Sequence, residues 1–341
     1  MDGVKKWIRP YIEVTRPPLN FMGVCLATSG AIIALRFTGK QIPIADSIIG
    51  AFAVFMTVGG MHTINDYFDR FRDREVWPNR PIPSGRLNPL HALALGLSLF
   101  AVGLSVVWIT FNAVCFYILL TTVALGIAYS RYLRDKVGYL TLAPIIGLFP
   151  AGGYAAFAGE RVFVSPVPWM LYFMVTLWQA GHILVYSPAH GVKETKTVVS
   201  AFLVALSPQA TAVLGTIFFS VLLILSLWLY LVVSLSLAYL AVASISGCFV
   251  ILLSLKLAVN PTIERSLLAF NAASLHAIIL FSTIAVDVFI RFYLYDYFTI
   301  LLGLFACALV GGSCVSIVRA IINIWKGARK RREVSGCLQL L

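Results

Sequence analysis

The sequence predicts an all-α protein, a polytopic membrane bundle of nine to ten transmembrane helices, on three observations. Of 341 residues, 60% are hydrophobic and 12% are charged, about half the charge of an ordinary soluble domain. The apolar residues gather in runs of about twenty, the length that crosses a hydrocarbon core. The basic residues fall at alternate connections between those runs, as they do when one side of a membrane protein faces the cytoplasm. Together these exclude a soluble enzyme and a disordered chain.

The first run, 20–37, follows about twenty mostly polar or basic residues and is too long for the apolar stretch of a signal peptide. It has no small-residue cleavage pattern after it and is therefore expected to be the first span. Further runs follow at 46–65, 91–111, 112–130, 139–158, 167–186, 209–231, 233–257, 267–290 and 297–319. The divisions at Phe111-Asn112 and Val232-Val233 rest on weak turn signals. Of the 26 basic residues, all but Arg36, Lys40, Arg161 and Arg291 lie at the two ends of the chain or after even-numbered spans. An even number of spans with both termini cytoplasmic is the expectation. The net charge of +12 is then spread over loops and tails facing anionic lipid headgroups, and no aromatic-interleaved patch suggests nucleic acid. Cys25, Cys115, Cys248, Cys307, Cys314 and Cys337 are scattered without metal-ligand spacing and imply no disulfide framework.

The chain has only 14 acidic residues, yet Asp66, Asp69, Asp73 and Glu75 crowd the end of the second run. Spacings of three and four put Asp66, Asp69 and Asp73 on one helical face, with Asn65 one turn before Asp69. Aligned like charges repel unless a cation sits among them, and carboxylates suit Mg2+, which takes substrate phosphates as further ligands. Asn65, Asp66, Asp69 and Asp73 are the candidate metal ligands. The interleaved Arg70, Arg72 and Arg74 offer a plainer account, a charged helix exit neutralised locally. Downstream, the prolines and Gly85 make a rigid non-helical connection in which Arg80 and Arg86 can offer guanidinium donors to phosphate. Beside a magnesium-type acidic face, they point to one site for a diphosphate.

Asn-Asp-x-x-Asp-x-x-x-Asp at 65–73, followed by Asn-Arg-Pro-Ile-Pro-Ser-Gly-Arg at 79–86, resembles the first signature of the UbiA superfamily of intramembrane prenyltransferases. Arg16-Pro17-Pro18-Leu19-Asn20 and Tyr129-Ser130-Arg131-Tyr132-Leu133-Arg134 also resemble recurring segments of that family. The resemblance implies a UbiA-like bundle, commonly of nine spans, so that a tenth near 297–319 would be an addition. It implies one integral-membrane prenyltransferase-like domain over 1–325 with a basic cytosolic tail over 326–341. It further implies an isoprenoid diphosphate held through Mg2+ by two facing acidic motifs, with Asn20 in the pocket.

The second of those motifs departs from the family. When Lys196-Thr197 is matched to its usual Lys-Thr ending, the expected acids fall on Ile183, Tyr186 and His190. Glu194 is the one carboxylate at hand, and Lys193 and Lys196 can contact phosphate directly. His182 and His190 are eight residues apart, but Pro188 and Gly191 argue against one continuous helix through them. Ring faces at Tyr129, Tyr154, Trp178 and Tyr186 can stabilise a carbocation. Asp135 and Lys136 form either a local ion pair or a diphosphate contact. Asp287 lies toward the opposite end and is given no catalytic role.

The expected function is Mg2+-dependent transfer of a prenyl group from an isoprenoid diphosphate to a small aromatic or lipidic acceptor. Asp66, Asp69, Asp73, Arg80 and Arg86 form the catalytic set. The altered second motif keeps open a terpene cyclase that uses no external acceptor. A transporter or scaffold would explain the spans but not the acid row.

Overall fold

The computed structural model describes residues 2–190 and 206–293, and their regular elements are helical. Helix α1 (Asp2–Thr15) was not expected from the polar composition of the N-terminal segment. It is amphipathic: Val14 packs on Ile82, Leu87 and Ala92, while Trp7, Ile8 and Ile12 face outward. The helix stops because Arg16 precedes a proline, whose ring crowds a helical conformation at the residue before it. Arg16 instead adopts the left-handed region (φ 50°, ψ 58°), and Pro17 starts α2 (Pro17–Thr38). Gly39, at φ 66°, closes α2 as a left-handed cap.

Helix α3 (Ile44–Asp69) continues the second apolar run through the first two aspartates, and Asp73 opens the short α4 (Asp73–Val76). A turn-rich connection leads to α5 (Pro89–Thr110), capped by Asn88, which accepts from the Leu90 amide at 2.8 Å. Asn112 caps α6 (Ala113–Ala128) by accepting from the Cys115 amide at 3.1 Å, so the weak signal at Phe111-Asn112 marks a real boundary. A π-turn (Tyr129–Leu133) then leads into α7 (Arg134–Lys136), α8 (Leu142–Ala158), α9 (Arg161–Val164) and α10 (Pro166–His190). Contrary to expectation, Pro188 does not interrupt α10, whose backbone stays helical to His190. The remaining helices are α11 (Pro208–Val233), α12 (Leu237–Val259) and α13 (Ile263–Tyr293). The break between α11 and α12 lies at Ser234–Ser236 rather than Val232-Val233, because Ser234 turns left-handed and Ser236 caps Tyr239. The run at 297–319 and the tail at 326–341 lie outside the described residues.

Eight helices among the described residues are long and apolar enough to cross a membrane, and α10 packs among them. The protein is an integral, multi-pass membrane protein. Helices α2, α8, α10 and α13 form a closed inner ring, with α3, α5 and α6 outside one side and α11 and α12 outside the other. The ring is tightest between α2 and α8: a Cβ on Gly30 would stand 1.9 Å from the Pro150 carbonyl oxygen, and one on Gly153 would stand 1.9 Å from that of Ala27. Small residues that let backbones touch are a main source of helix association in lipid. An apolar cavity of about 120 Å3 lies between α2, α3, α5, α6 and α8, with Val24, Val54, Leu119 and Phe149 in its wall.

Asp287 serves the end of the bundle away from Asp66. It accepts from the Ser236 amide at 3.1 Å and from the Ser236 hydroxyl, while Arg291 donates to the Ser234 carbonyl and Arg36 to that of Val233. The acid thus satisfies the start of α12 and the two cations satisfy the end of α11. Asp287→Ala should lower stability by about 1 kcal/mol, read by thermal unfolding in detergent, because it strips the half-buried Ser236 amide and hydroxyl of their acceptor. Diphosphate chemistry should be unaffected.

Candidate active site

The three aspartates do not sit on one unbroken helix. Asp66 and Asp69 occupy the last turn of α3, and the chain then turns so that Asp73 swings back toward them. Arg80 spans the gap, donating to Asp73 at 2.6 Å and lying 3.5 Å from Asp66. All three are almost completely buried, with relative exposures of 2%, 3% and 1%. Buried carboxylates are costly unless paired and hydrogen-bonded, and each of these has a guanidinium. Arg16 pairs with Asp66, Arg72 donates to Asp69 at 2.7 Å, and Arg134 also donates to Asp69.

The helical irregularity after α6 delivers Arg134. The π-turn buries Tyr129 and Ser130, and Arg134 lies 5% exposed against α3. Arg134 also donates to Asp135 at 3.1 Å, so Asp135 takes its ion pair from Arg134, which the expected pairing of Asp135 and Lys136 did not include. Arg72 donates to the Tyr139 hydroxyl at 3.0 Å. Asn65, with its amide turned to satisfy both ends, donates to Asp69 at 3.2 Å and accepts from Arg134 at 3.2 Å. Four guanidiniums therefore meet the three buried carboxylates, with the exposed Asp135 as a fourth acidic partner through Arg134. An anion with several oxygens, such as a diphosphate, is the complementary ligand.

Local neutralisation of the acids is a minor part of this arrangement. Of the three arginines interleaved with them, Arg72 alone pairs with an aspartate of the cluster among the described residues. Arg70 stacks on Tyr67 and Phe71, and Arg74 on Phe71. Arg16, Arg80 and Arg134, from other segments, supply the remaining charge. Arg16 and Arg134 stood in the segments at 16–20 and 129–134 without an assigned role. No periodicity singles them out, because their partners lie 50 and 65 residues away.

Arg86 is placed elsewhere than expected. Its fork binds both Glu13 oxygens at 2.7 and 2.9 Å and the Asn79 carbonyl at 2.6 Å, which fastens α1 to the connection before α5. Glu13 raises the Arg86 pKa above its ordinary value, through a hydrogen bond to the guanidinium. Tyr11 adds a contact to His91 at 2.9 Å. Arg86→Ala should loosen α1, seen as faster proteolysis within residues 2–15, at a cost of no more than about 1 kcal/mol in overall stability because the pair is partly exposed.

Asn20, one turn beyond Arg16, is 1% exposed and neither its amide nitrogen nor its oxygen has a partner. A buried amide without partners is an open position for a polar ligand. Tyr129 is buried at the start of the π-turn that leads to Arg134, whereas the Tyr186 ring lies 4.3 Å from that of Phe270. The side chains of His190, Lys193, Glu194 and Lys196 lie outside the described residues.

Among the described residues, no three His, Cys, Asp or Glu side chains converge closely enough to hold a metal ion. The donor set still fits a hard divalent cation. Asp73 Oδ1 is buried without a partner, and a cationic group, the Arg80 guanidinium, already joins Asp66 to Asp73.

The pattern of the UbiA prenyltransferase family matches residues 24–275. The chain is 29% identical over 300 residues to the protoheme IX farnesyltransferase of Desulforudis audaxviator, a match covering 85% of this chain and 91% of that one. It is 35% identical over 148 residues to the digeranylgeranylglyceryl phosphate synthase of Methanosphaera stadtmanae, covering 43% and 52% of the two chains. A UbiA homolog from Aeropyrum pernix K1 shares the fold with a TM-score of 0.66 at 21% identity, covering 80% of this chain and 98% of that one. A UbiA homolog from Archaeoglobus fulgidus bound to GPP and Mg2+ gives 0.53 at 15% identity, with 81% and 99% covered.

Proposed function

The chain belongs to the UbiA prenyltransferase family, and on that premise we propose that it ionises an isoprenoid diphosphate at the acidic cluster and transfers the prenyl group to an aromatic or lipidic acceptor. The observation that carries this is the buried set of three carboxylates and four guanidiniums at one end of an apolar bundle. Asp66, Asp69, Asp73 and Asn65 would hold Mg2+, which supplies Lewis-acid stabilisation of charge developing on the leaving diphosphate. The metal-bound relative from Archaeoglobus fulgidus supports that choice of ion.

The protein's own residues do the rest. Arg80 and Arg16 donate to the diphosphate oxygens, so the electron pair of the breaking carbon–oxygen bond departs with a leaving group whose charge is met. Arg72 and Arg134 hold Asp69 in place, and Asn20 hydrogen-bonds the polar head. The allylic cation is held among apolar side chains with the Tyr129 ring close by, in a site dry enough to keep water from intercepting it. The acceptor's nucleophilic atom then bonds to the cation and its proton passes to the released diphosphate. Residues 182–197 lack aspartate, so Lys193, Lys196, Glu194 and His190 complete the diphosphate site in place of a second acidic motif. Arg86 orients α1 rather than touching the diphosphate. The prenyl tail runs toward the apolar cavity. Val54, in its wall, stands twelve residues from Asp66 on α3, or about 18 Å of helix rise. Both termini face the cytoplasm, and the acidic end faces the same side.

The test is incubation of the purified protein with geranyl, farnesyl or geranylgeranyl diphosphate and Mg2+, with and without candidate acceptors such as haem or a glycerophosphate lipid. Diphosphate release that rises with acceptor, together with a prenylated acceptor, supports the transferase. A cyclic hydrocarbon or alcohol formed in abundance without acceptor would overturn it in favour of a terpene cyclase.

A further inference from the structure

The four guanidiniums of the cluster are not held alike. Arg134 is buried and donates to Asp69 and Asp135. Arg72 is shared between Asp69 and the Tyr139 hydroxyl. Arg80 reaches two aspartates and lies over the Trp77 ring at 5.2 Å. Arg16 makes one ion pair among the described residues, to Asp66. It also sits in the left-handed backbone region, which costs free energy for any residue with a side chain, and such positions persist where the surroundings enforce them. Those surroundings are the proline that follows and α1, fastened by Glu13 to Arg86 and by Tyr11 to His91.

A divalent cation among these aspartates would compete with the Arg16 guanidinium for Asp66 Oδ1 and be repelled by it at close range. Asp73 Oδ1 is free to receive the cation, so the competition falls on Asp66 and on the arginine held least firmly there. Arg16 is the one with the fewest contacts to lose. Asn20, four residues along the chain, keeps a buried amide without a partner.

We propose that Arg16 is an exchangeable counter-ion. It holds Asp66 while no divalent cation is present, and it yields Asp66 and turns onto the diphosphate when cation and diphosphate arrive together. The exchange rests on the proposed function, since it requires both ligands. It keeps the aspartates neutralised in the empty enzyme and makes cation binding depend on an incoming anion that can receive the freed guanidinium. Arg16 thus competes with the cation alone and cooperates with the cation–diphosphate pair.

That pairing of opposite effects is the test, made on the full chain in detergent. Mn2+ binding is measured by the paramagnetic resonance of free Mn2+ with no diphosphate present. Binding of inorganic pyrophosphate is measured by calorimetry in saturating Mg2+. Arg16→Gln should bind Mn2+ alone about tenfold more tightly, and pyrophosphate with Mg2+ at least about tenfold more weakly, on the scale of a lost close charge pair. Arg16→Lys, which keeps the charge without the fork, should fall between the wild type and Arg16→Gln on both measurements, and it carries the test if Arg16→Gln does not fold. Mn2+ affinity that is unchanged or lowered overturns the exchange, because an arginine serving structure alone would not raise it. A wild-type protein that binds neither Mn2+ nor pyrophosphate with Mg2+ overturns the functional reading instead.

Discussion

Replacing Asp66 and Asp69 together by Asn should lower diphosphate release from an isoprenoid diphosphate by at least about a thousandfold, because the two supply the anionic oxygens on which charge stabilisation of the leaving group depends. The same change leaves Arg16 and Arg134 facing neutral amides, and breaking a buried ion pair typically costs about 3–5 kcal/mol. Activity loss alone would therefore be ambiguous. Asp66→Asn by itself separates the two effects. It keeps Asp69 with Arg134, the more deeply buried pair, and should cost less stability while still removing most turnover. Helical circular dichroism and thermal unfolding in detergent would report the fold, and release of inorganic diphosphate would report the chemistry. Unchanged turnover in the folded double variant would remove the acidic cluster from the mechanism.

The second large effect is on assembly. Gly30→Val and Gly153→Val should each prevent the bundle from closing, because even a Cβ would stand 1.9 Å from a backbone oxygen of the facing helix. A backbone carbonyl cannot rotate away as a side chain can, so α2 and α8 must separate. Overpacking of this kind exceeds the roughly 1–3 kcal/mol typical of core insertions. We expect aggregation or loss of the monodisperse peak in size-exclusion chromatography. Gly152→Ala is the control: its added carbon meets Ile118 at 3.4 Å, an ordinary contact, and should change stability by less than about 1 kcal/mol. If Gly30→Val behaved like Gly152→Ala, the close approach of α2 and α8 would be wrong.

Much of the bundle was legible before any coordinates because the bilayer restricts what can cross it. Runs of about twenty apolar residues have one helical outcome, whereas the caps were less plain: Asn88 was not singled out, and Phe111-Asn112 gave only a weak turn signal. Helix α1 was not legible, since its inward face is short and its outward face carries Trp7 and Ile8, a pattern that makes sense only at a lipid interface. The acid row was legible from local spacing as far as Asp69, but the helix breaks before Asp73, which joins the others by a turn of the chain and not by helical register. The partners of the row were not legible, because Arg16 and Arg134 arrive from other helices. Arg86 was misread for the same reason: an arginine near an acid row in sequence was expected to serve it, and the arrival of α1 gave it Glu13 instead. Asn20 was marked by family likeness, but its unpaired amide becomes visible only in the folded packing.

The clamp of Asp287, Arg36 and Arg291 at the end opposite the aspartates has a mechanical meaning. Arg36 pins the last turn of α2 to the end of α11, and Arg291 pins α13 to the same corner. The middle of α2 is held as well, by its backbone contact with α8 at Ala27 and Gly30. Arg16 stands at the far end, twenty residues or about 30 Å of helix rise from Arg36. A helix anchored at one end and along its length offers Arg16 a fixed base, so exchange at Asp66 is a movement of one side chain and not of the helix that carries it.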